Sequence, residues 1–316
     1  MDATMQAVRF HAYGGPEQLL LERVPRPEPR AGEILVSVHA AGVNPIDWKI
    51  RAGLMRASMS RPLPSTPGGD LAGTVAAVGG GVAAFQRGQA VYGRGNGSYA
   101  EYATAPAEWL APMPRNLTFD QAAAVPAGAR IAWVALFDLA DLRAGQRVLI
   151  HGAAGGAGNY AVQLARWKGA HVIGTASGGN AAFVRSIGAE TVIDYQAVPF
   201  ERAVRGVDVV VDLIGGETQD RSWQALKPGG ILVAIGHAPD EDSAERHGVR
   251  TVSTILGQRS PPQGAIDPLT AISALLESGI VTPQVGPVFT LEHAGRAQAL
   301  SETGHGRGRI VLHVAD

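Results

Sequence analysis

The 316-residue chain has no cysteine. Disulfides, thiol nucleophiles, thiolate-bound zinc and iron–sulfur clusters are therefore excluded together. It also lacks a charge excess of either sign: 27 Lys+Arg stand against 28 Asp+Glu, for a formal net charge of -1. Nucleic acid or an acidic membrane surface would find no basic excess to hold it. No apolar run is long enough to cross a bilayer, because Gly, Arg or Asp breaks the longest ones. The first residues, MDATMQAVRFHAYGG, have neither the basic start nor the apolar core of a signal peptide. The expectation is a cytoplasmic enzyme with no nucleic-acid or membrane partner.

Hydrophobic residues make up 46% of the chain and charged residues 17%, a globular profile of a length that fits two domains. To about Asp120, short β-like runs alternate with turn residues. Ile34–His39 and Leu71–Val78 are each bracketed by glycines, Ala90–Tyr92 runs into the Gly-rich loop Gly93–Ser98, and prolines at 25, 27, 29, 62, 64 and 67 mark extended linkers. This part reads as a small β-barrel.

From about Phe119 the pattern becomes alternating β and α. A helix over Ile131–Leu142 precedes the strand Val148–Ile150, a Gly-rich turn, and a helix to Lys168. There follow a strand His171–Ala176, a helix through Ile187, strands Thr191–Tyr195 and Asp208–Ile214, a helix near Leu226, and strands Ile231–Ile235 and Arg250–Leu256. Nearly wholly apolar strands predict a parallel sheet covered by helices on both faces. The fold class is α/β: a doubly wound Rossmann domain plus a smaller β-rich domain. Beyond Pro261-Pro262, a helix over Ala265–Ser278 and strands at Val285–Thr290 and Arg309–Val314 are predicted.

The turn His151–Gly158 (HGAAGGAG) lies between a strand and a helix. Read as G-x-G-x-x-G, it puts Ala153, Gly155 and Gly158 at the three key places, with Ala154, Gly156 and Ala157 between them. The second glycine admits a pyrophosphate, the third lets the helix pack close, and the helix start offers N–H groups and a positive dipole. An acid for the adenosine 2′-hydroxyl is expected about 20 residues downstream, yet no Asp or Glu occurs between Gly158 and Glu190. The second strand ends instead in Thr175, Ser177 and Asn180, small hydrogen-bonding residues with room for a 2′-phosphate. NADPH is thus expected over NADH, with Arg185 or Arg166 as candidate sources of positive charge.

The segments Ala40–Gly53, Pro67–Gly79, Gly97–Tyr102, Val148–Ala165 and His305–Leu312 together resemble the zinc-free quinone-oxidoreductase (zeta-crystallin-like) branch of the medium-chain dehydrogenase/reductases. The resemblance implies a GroES-like barrel that is discontinuous, 1–122 with 262–316, around a Rossmann domain at 123–261, and it implies a homodimer. In the zinc relatives the ligating Cys and His positions match Asn44 and Gly69, and no four-cysteine lobe has a counterpart here; metal ligands are expected to be absent. The implied catalytic residues are Asn44, Asp47 and Lys49. Asn44 would also contact the cofactor, as would Tyr195, Gly236, His237 and Arg309. Each has a plainer reading: Asn44 as an Asn-Pro turn residue, Asp47 as a loop cap, Lys49 as a surface lysine, Tyr99 and Tyr102 as barrel core or pocket lining, Tyr195 as packing, Arg309 as a strand-edge residue. Ile131 stands where the family often has a Thr that meets the nicotinamide carboxamide. The implied activity is hydride transfer from NADPH to a quinone or an α,β-unsaturated carbonyl. The alternatives are an enoyl reductase for thioester-bound acyl chains and a non-catalytic NADPH-binding protein.

Overall fold

A computed structural model describes residues 4–254 and 268–316. The N-terminal part opens with the antiparallel pair β1 (Thr4–Arg9) and β2 (Leu20–Pro25). The ten-residue strand β3 (Glu33–Gly42) leads into the short helix α1 (Pro45–Arg51). Strands β4 (Asp70–Val78), β5 (Ala90–Arg94), β6 (Tyr102–Pro106) and β7 (Leu110–Pro112) follow, then helix α2 (Phe119–Ala123), whose Thr118 hydroxyl accepts from the Gln121 amide as an N-cap.

Next comes helix α3 (Pro126–Trp133), which runs into a π-helical stretch at Val134–Leu139. Six strands build the parallel sheet: β8 (Arg147–Ile150), β9 (His171–Ala176), β10 (Thr191–Asp194), β11 (Val207–Asp212), β12 (Leu226–Ile235) and β13 (Arg250–Thr254). Their order is β10-β9-β8-β11-β12-β13, all parallel, the doubly wound pattern with its switch point between β8 and β11. The connecting helices are α4 (Gly158–Trp167), α5 (Ala181–Ser186), α6 (Phe200–Ala203), α7 (Glu217–Ser222) and α8 (Glu241–Arg246). Val148, Leu149, Ile150, Val210 and Val211 are fully buried, as helices on both faces require.

Two expectations need correcting here. Leu226 lies in a strand, not a helix: the helix ends at Ser222, and Leu226 is buried opposite Val207. Gly229 in left-handed backbone then interrupts the ladder and shifts its register. The helix expected from Ile131 starts at Pro126, since proline at a first helical position is favourable rather than disruptive. The expected end of the last parallel strand (residues 255–256), the start of the next helix (265–267) and the Pro261-Pro262 boundary lie outside the described residues.

Helix α9 (Pro268–Glu277) precedes β14 (Val285–Thr290), helix α10 (Ala294–Glu302) and β15 (Arg309–His313). β14 pairs parallel with β15, and β15 pairs antiparallel with the second half of β3, while β6 pairs with its first half. These strands form one seven-stranded sheet around Val36, Val38, Leu71, Val91 and Leu312. The chain divides into two compact units, one of Met1–Ala127 with Pro283–Asp316 and one of Gly128–Thr282. The second junction therefore falls at 282/283, because Gln163 of α4 ties down Thr282: it accepts from the Thr282 amide at 2.8 Å and donates to its carbonyl at 3.1 Å. Among the described residues no helix is long and apolar enough to cross a membrane.

Arg51 shows how α10 is fastened within the first unit. It is 1% exposed, and its guanidinium donates to Gln298 Oε1 at 2.7 Å, to the Gly14 carbonyl and to the Glu302 carboxylate. Three directions from one rigid fork suit arginine alone. Arg51→Met would strand those acceptors, and thermal or urea unfolding should show a loss on the order of 3 kcal/mol; a loss under about 0.5 kcal/mol would contradict this account.

Candidate nucleotide and active site

In the second unit the turn after β8 is shaped by its glycines. Gly152 has φ +68°, a left-handed conformation suited to glycine. A Cβ on Gly158 would stand 2.1 Å from the Gly152 carbonyl oxygen, whereas one on Gly155 would meet only that same oxygen, at 3.3 Å. Gly158 is thus required by the fold, and Gly155 borders open space. Ala153 takes the first motif place without left-handed backbone and donates its amide to the Thr175 carbonyl at 3.1 Å. Its methyl packs on Gly174, where an added Cβ would come within 2.9 Å. Ala153 and Ala154 are buried, while Gly155, Gly156 and Ala157 are partly open. Asn159, buried in the first turn of α4, donates to the carbonyls of Gly155 at 2.8 Å and Gly156 at 3.1 Å, and so pins the loop from behind. The sequence reading missed Asn159; a polar residue inside an apolar helix face was its signal.

His151 is fully buried beneath this turn, 3.1 Å from Thr175 Oγ1 and 3.0 Å from Ser222 Oγ. Ser222 gives its proton to the Thr218 carbonyl at 2.6 Å, so it accepts from His151 Nε2–H, which leaves Nδ1 to accept from Thr175. Burial pushes the histidine's pKa down to about 4, against the pull of Asp212, and the ring is neutral. Thr175, expected at the cofactor, is 4% exposed and spends its hydroxyl proton on this histidine.

At the end of β9, Ser177 accepts from the Asn180 side chain at 3.2 Å, and Gly178 and Gly179 are exposed. Tyr195 follows β10 and is 48% exposed, so simple packing does not explain it. Arg166 and Arg185 are elsewhere. Arg166 ends α4 with its side chain against Gly188, and Arg185 ends α5 with its carbonyl accepting from the Gly188 amide. Both stand where the helices deliver the chain to the starts of the strands, the opposite edge from the turns.

On the far side of the switch point, Asp212 ends β11 with no exposure and accepts from the amides of Ile214 at 2.9 Å and Gly215 at 3.0 Å. Its other oxygen lies 3.5 Å from His237 Nε2, just after β12. Gln219 donates to His237 Nδ1 at 2.9 Å, and Ser253 donates to its carbonyl at 2.7 Å. His237 thus locks the turn holding Gly236, which has φ +81°. Ile131 in α3 is half-buried.

The first unit gathers most of the remaining expected residues. Asn44, at the start of α1, is 6% exposed; its backbone N–H donates to Asp47 Oδ2 at 2.9 Å, and its side-chain amide donates to Asp70 Oδ2 at 3.0 Å. The Ala127 amide also donates to that Asp70 oxygen at 3.0 Å, and Tyr99 donates to Asp47 at 3.0 Å. Asp47 is therefore a buried helix cap. Burial raises its pKa to about 7, with Asp70 adding to the shift and Asn44, Tyr99 and Arg309 opposing it. Asp70 is raised by the same burial and lowered chiefly by Arg309. Arg309 is 5% exposed and its guanidinium faces the Val43 carbonyl at 3.4 Å; it is an internal counter-ion for two acids, neither an exposed strand-edge residue nor free to reach out. Tyr99 is fully buried and belongs to the core. Lys49 is half-buried near the end of α1, with its ammonium 5.7 Å from the Trp48 ring centre.

Two measurements check this geometry. Gly158→Ala should unfold or grossly destabilise the second unit, whereas Gly155→Ala should keep the melting temperature and weaken NADPH binding at least tenfold by fluorescence titration. The reverse pattern would refute the assignment. His151 has a folded pKa near 4 and an unfolded one near 6.5. Below pH 6.5 the unfolded state takes up the proton first, so stability falls as pH drops from 6.5 to 4, by about 1.4 kcal/mol per unit of that window. His151→Gln should flatten this part of the pH–stability curve, and an unchanged slope would rule out a buried neutral histidine.

Residues 30–115 match the alcohol dehydrogenase GroES-like domain, and residues 187–312 match the zinc-binding dehydrogenase domain. The chain is 35% identical to the quinone oxidoreductase of Mus musculus, over 96% of each chain. It is 34% identical to the chloroplastic NADPH-dependent alkenal/one oxidoreductase of Arabidopsis thaliana, over 98% of this chain and 79% of that one. The solved quinone oxidoreductase from Coxiella burnetii superposes with a TM-score of 0.90 at 35% identity, over 98% of this chain and 99% of that one. Identity of this level along nearly the whole length places the chain in the quinone-oxidoreductase branch of the medium-chain dehydrogenase/reductase family.

Proposed function

We propose that the chain is an NADPH-dependent reductase that delivers hydride to a quinone or an α,β-unsaturated carbonyl without zinc. It is an oxidoreductase of the type its relatives' names describe, and it binds NADPH. The turn after β8 carries the reading: Gly152 and Gly158 bring the start of α4 against the carboxyl end of the strand next to the switch point, where open α/β sheets take nucleotides.

The donor set does not fit a catalytic zinc. Such a site takes three protein ligands and an open position. The two positions that correspond to a ligating Cys and His in zinc relatives are Asn44, whose amide already donates to Asp70, and Gly69, which brings no donor atom. Among the described residues no group of three His, Asp or Glu side chains is arranged to hold a metal.

Bound NADPH supplies the hydride. The chain's own residues orient it and steady the charge that develops on an acceptor oxygen. Asn159, His151 and Asp212 hold the loops at the strand ends. Asn44 is held at the start of α1 by its capping box with Asp47 and by donating its amide to Asp70, and Lys49 is the candidate cation for an enolate. Asp47 acts through Asn44 and is a positioning residue. A quinone or enone is already electrophilic, so no alkoxide-stabilising metal is needed, and solvent protonates the product. Homodimer formation along the edge of β13 and a cytoplasmic location belong to the same proposal.

The test follows NADPH oxidation against 1,4-benzoquinone, 9,10-phenanthrenequinone and small enones, before and after exhaustive dialysis against a zinc chelator. Turnover of at least one acceptor, unchanged by the chelator, is expected. Tight NADPH binding with no acceptor turned over would make the chain a binding protein, and loss of activity with the metal would overturn the zinc-free reading.

A further inference from the structure

The absence of an acid after β9 is a statement about the sequence, and the sheet alters it. β9 and β10 are parallel neighbours in a register that sets Asp194 opposite Ala176, the last residue of β9. The Asp194 side chain therefore emerges at the same strand end as the turn Ser177–Asn180. One of its oxygens, Oδ1, accepts from the Gln196 amide at 3.0 Å. The other, Oδ2, faces the neighbouring turn: a Cβ on Gly178 would lie 2.6 Å from it. A carboxylate from the third strand thus occupies the flank of the second-strand turn, where a dinucleotide's adenosine ribose is read in this fold. Arg166 packs its side chain against Gly188, at the edge of the sheet where the strands begin.

We propose that Asp194 is a specificity-determining residue of the coenzyme site, accepting a hydrogen bond from the ribose 2′-hydroxyl of NADH and repelling the 2′-phosphate of NADPH. The inference rests on the seating of the dinucleotide proposed above. Its consequence is that the chain uses both coenzymes and prefers NADPH far less than an acid-free turn would allow. The exposed turn residues Gly178 and Gly179 and the Ser177 hydroxyl leave room for a phosphate, and one fixed negative charge works against it. Charge-assisted hydrogen bonding favours the 2′-hydroxyl at that same oxygen.

The experiment is fluorescence titration of the whole chain and of Asp194→Asn with NADPH, NADH, 2′,5′-ADP and 5′-AMP. Asparagine keeps an oxygen for the Gln196 amide, so the turn persists; Asp194→Ser, with a shorter acceptor, is the second variant. In wild type the NADPH and NADH dissociation constants should differ by less than about tenfold. In Asp194→Asn the preference for NADPH should rise at least tenfold, with 2′,5′-ADP gaining over 5′-AMP in parallel, and the gain should shrink as salt screens the phosphate. A wild type that binds both dinucleotides, with a ratio that neither variant moves, overturns this inference alone. A wild type that binds neither dinucleotide overturns the seating and this inference with it.

Discussion

The carbonyl oxygen of Gly152 and the α-carbon of Gly158 are packed so closely that no side chain fits between them. This contact sets the distance at which α4 starts from β8, and several other features follow from it. Ala153 turns inward onto Gly174. His151 is buried under the turn and must be neutral. Asn159 faces back into the loop, where its side-chain amide donates to the carbonyls of Gly155 and Gly156. A tight glycine contact at the centre of the sheet thus governs the shape of the loop and the ionisation of the residue beneath it.

The sequence was most legible where structure is local. Apolar runs such as Val148–Ile150 and Val209–Val211 identify themselves as strands because both faces are covered, so no polar position interrupts them. The Gly-rich turn was legible for a related reason: all of its parts lie within eight residues. Leu226 was misread because an apolar residue beside Lys227-Pro228-Gly229 does not reveal whether it ends a helix or begins a bulged strand. The return of Arg309–His313 to β3 could be inferred only through family resemblance, since nothing in an isolated five-residue strand names its partner.

The site residues divide in the same way. Asn44 and Asp47 are three residues apart, and their capping relation is local. Their partners are not: Asp70 lies 26 positions beyond Asn44, Tyr99 lies 52 beyond Asp47, and Arg309 comes from the last strand. Only the assembled sheet shows that Arg309 faces two buried acids and that Tyr99 is core. Burial raises the pKa of both acids, yet hydrogen bonds from Asn44, Tyr99 and Ala127 hold them in place, and such networks favour one arrangement over others. At the start of α1 the Asn44 amide donates to the Asp70 carboxylate. Direct hydrogen bonds organise the loop around α1.

Asp194 and Asp212 show the general form of what sequence spacing misses. The rule that an acid for the ribose lies about 20 residues past the phosphate turn describes a place in space, reached by one strand and its end. In a parallel sheet every strand ends at the same edge, so the neighbouring strand reaches that place as well, a full β–α–β unit later in the chain. Asp194 arrives there by register, just as Asp212 arrives beside the turn that follows β12. An acid count confined to one window therefore describes one strand end, whereas the ligand meets the whole edge. Coenzyme choice in such a sheet depends on the sum of charges along that edge, and that sum can be taken only once the strand order is known.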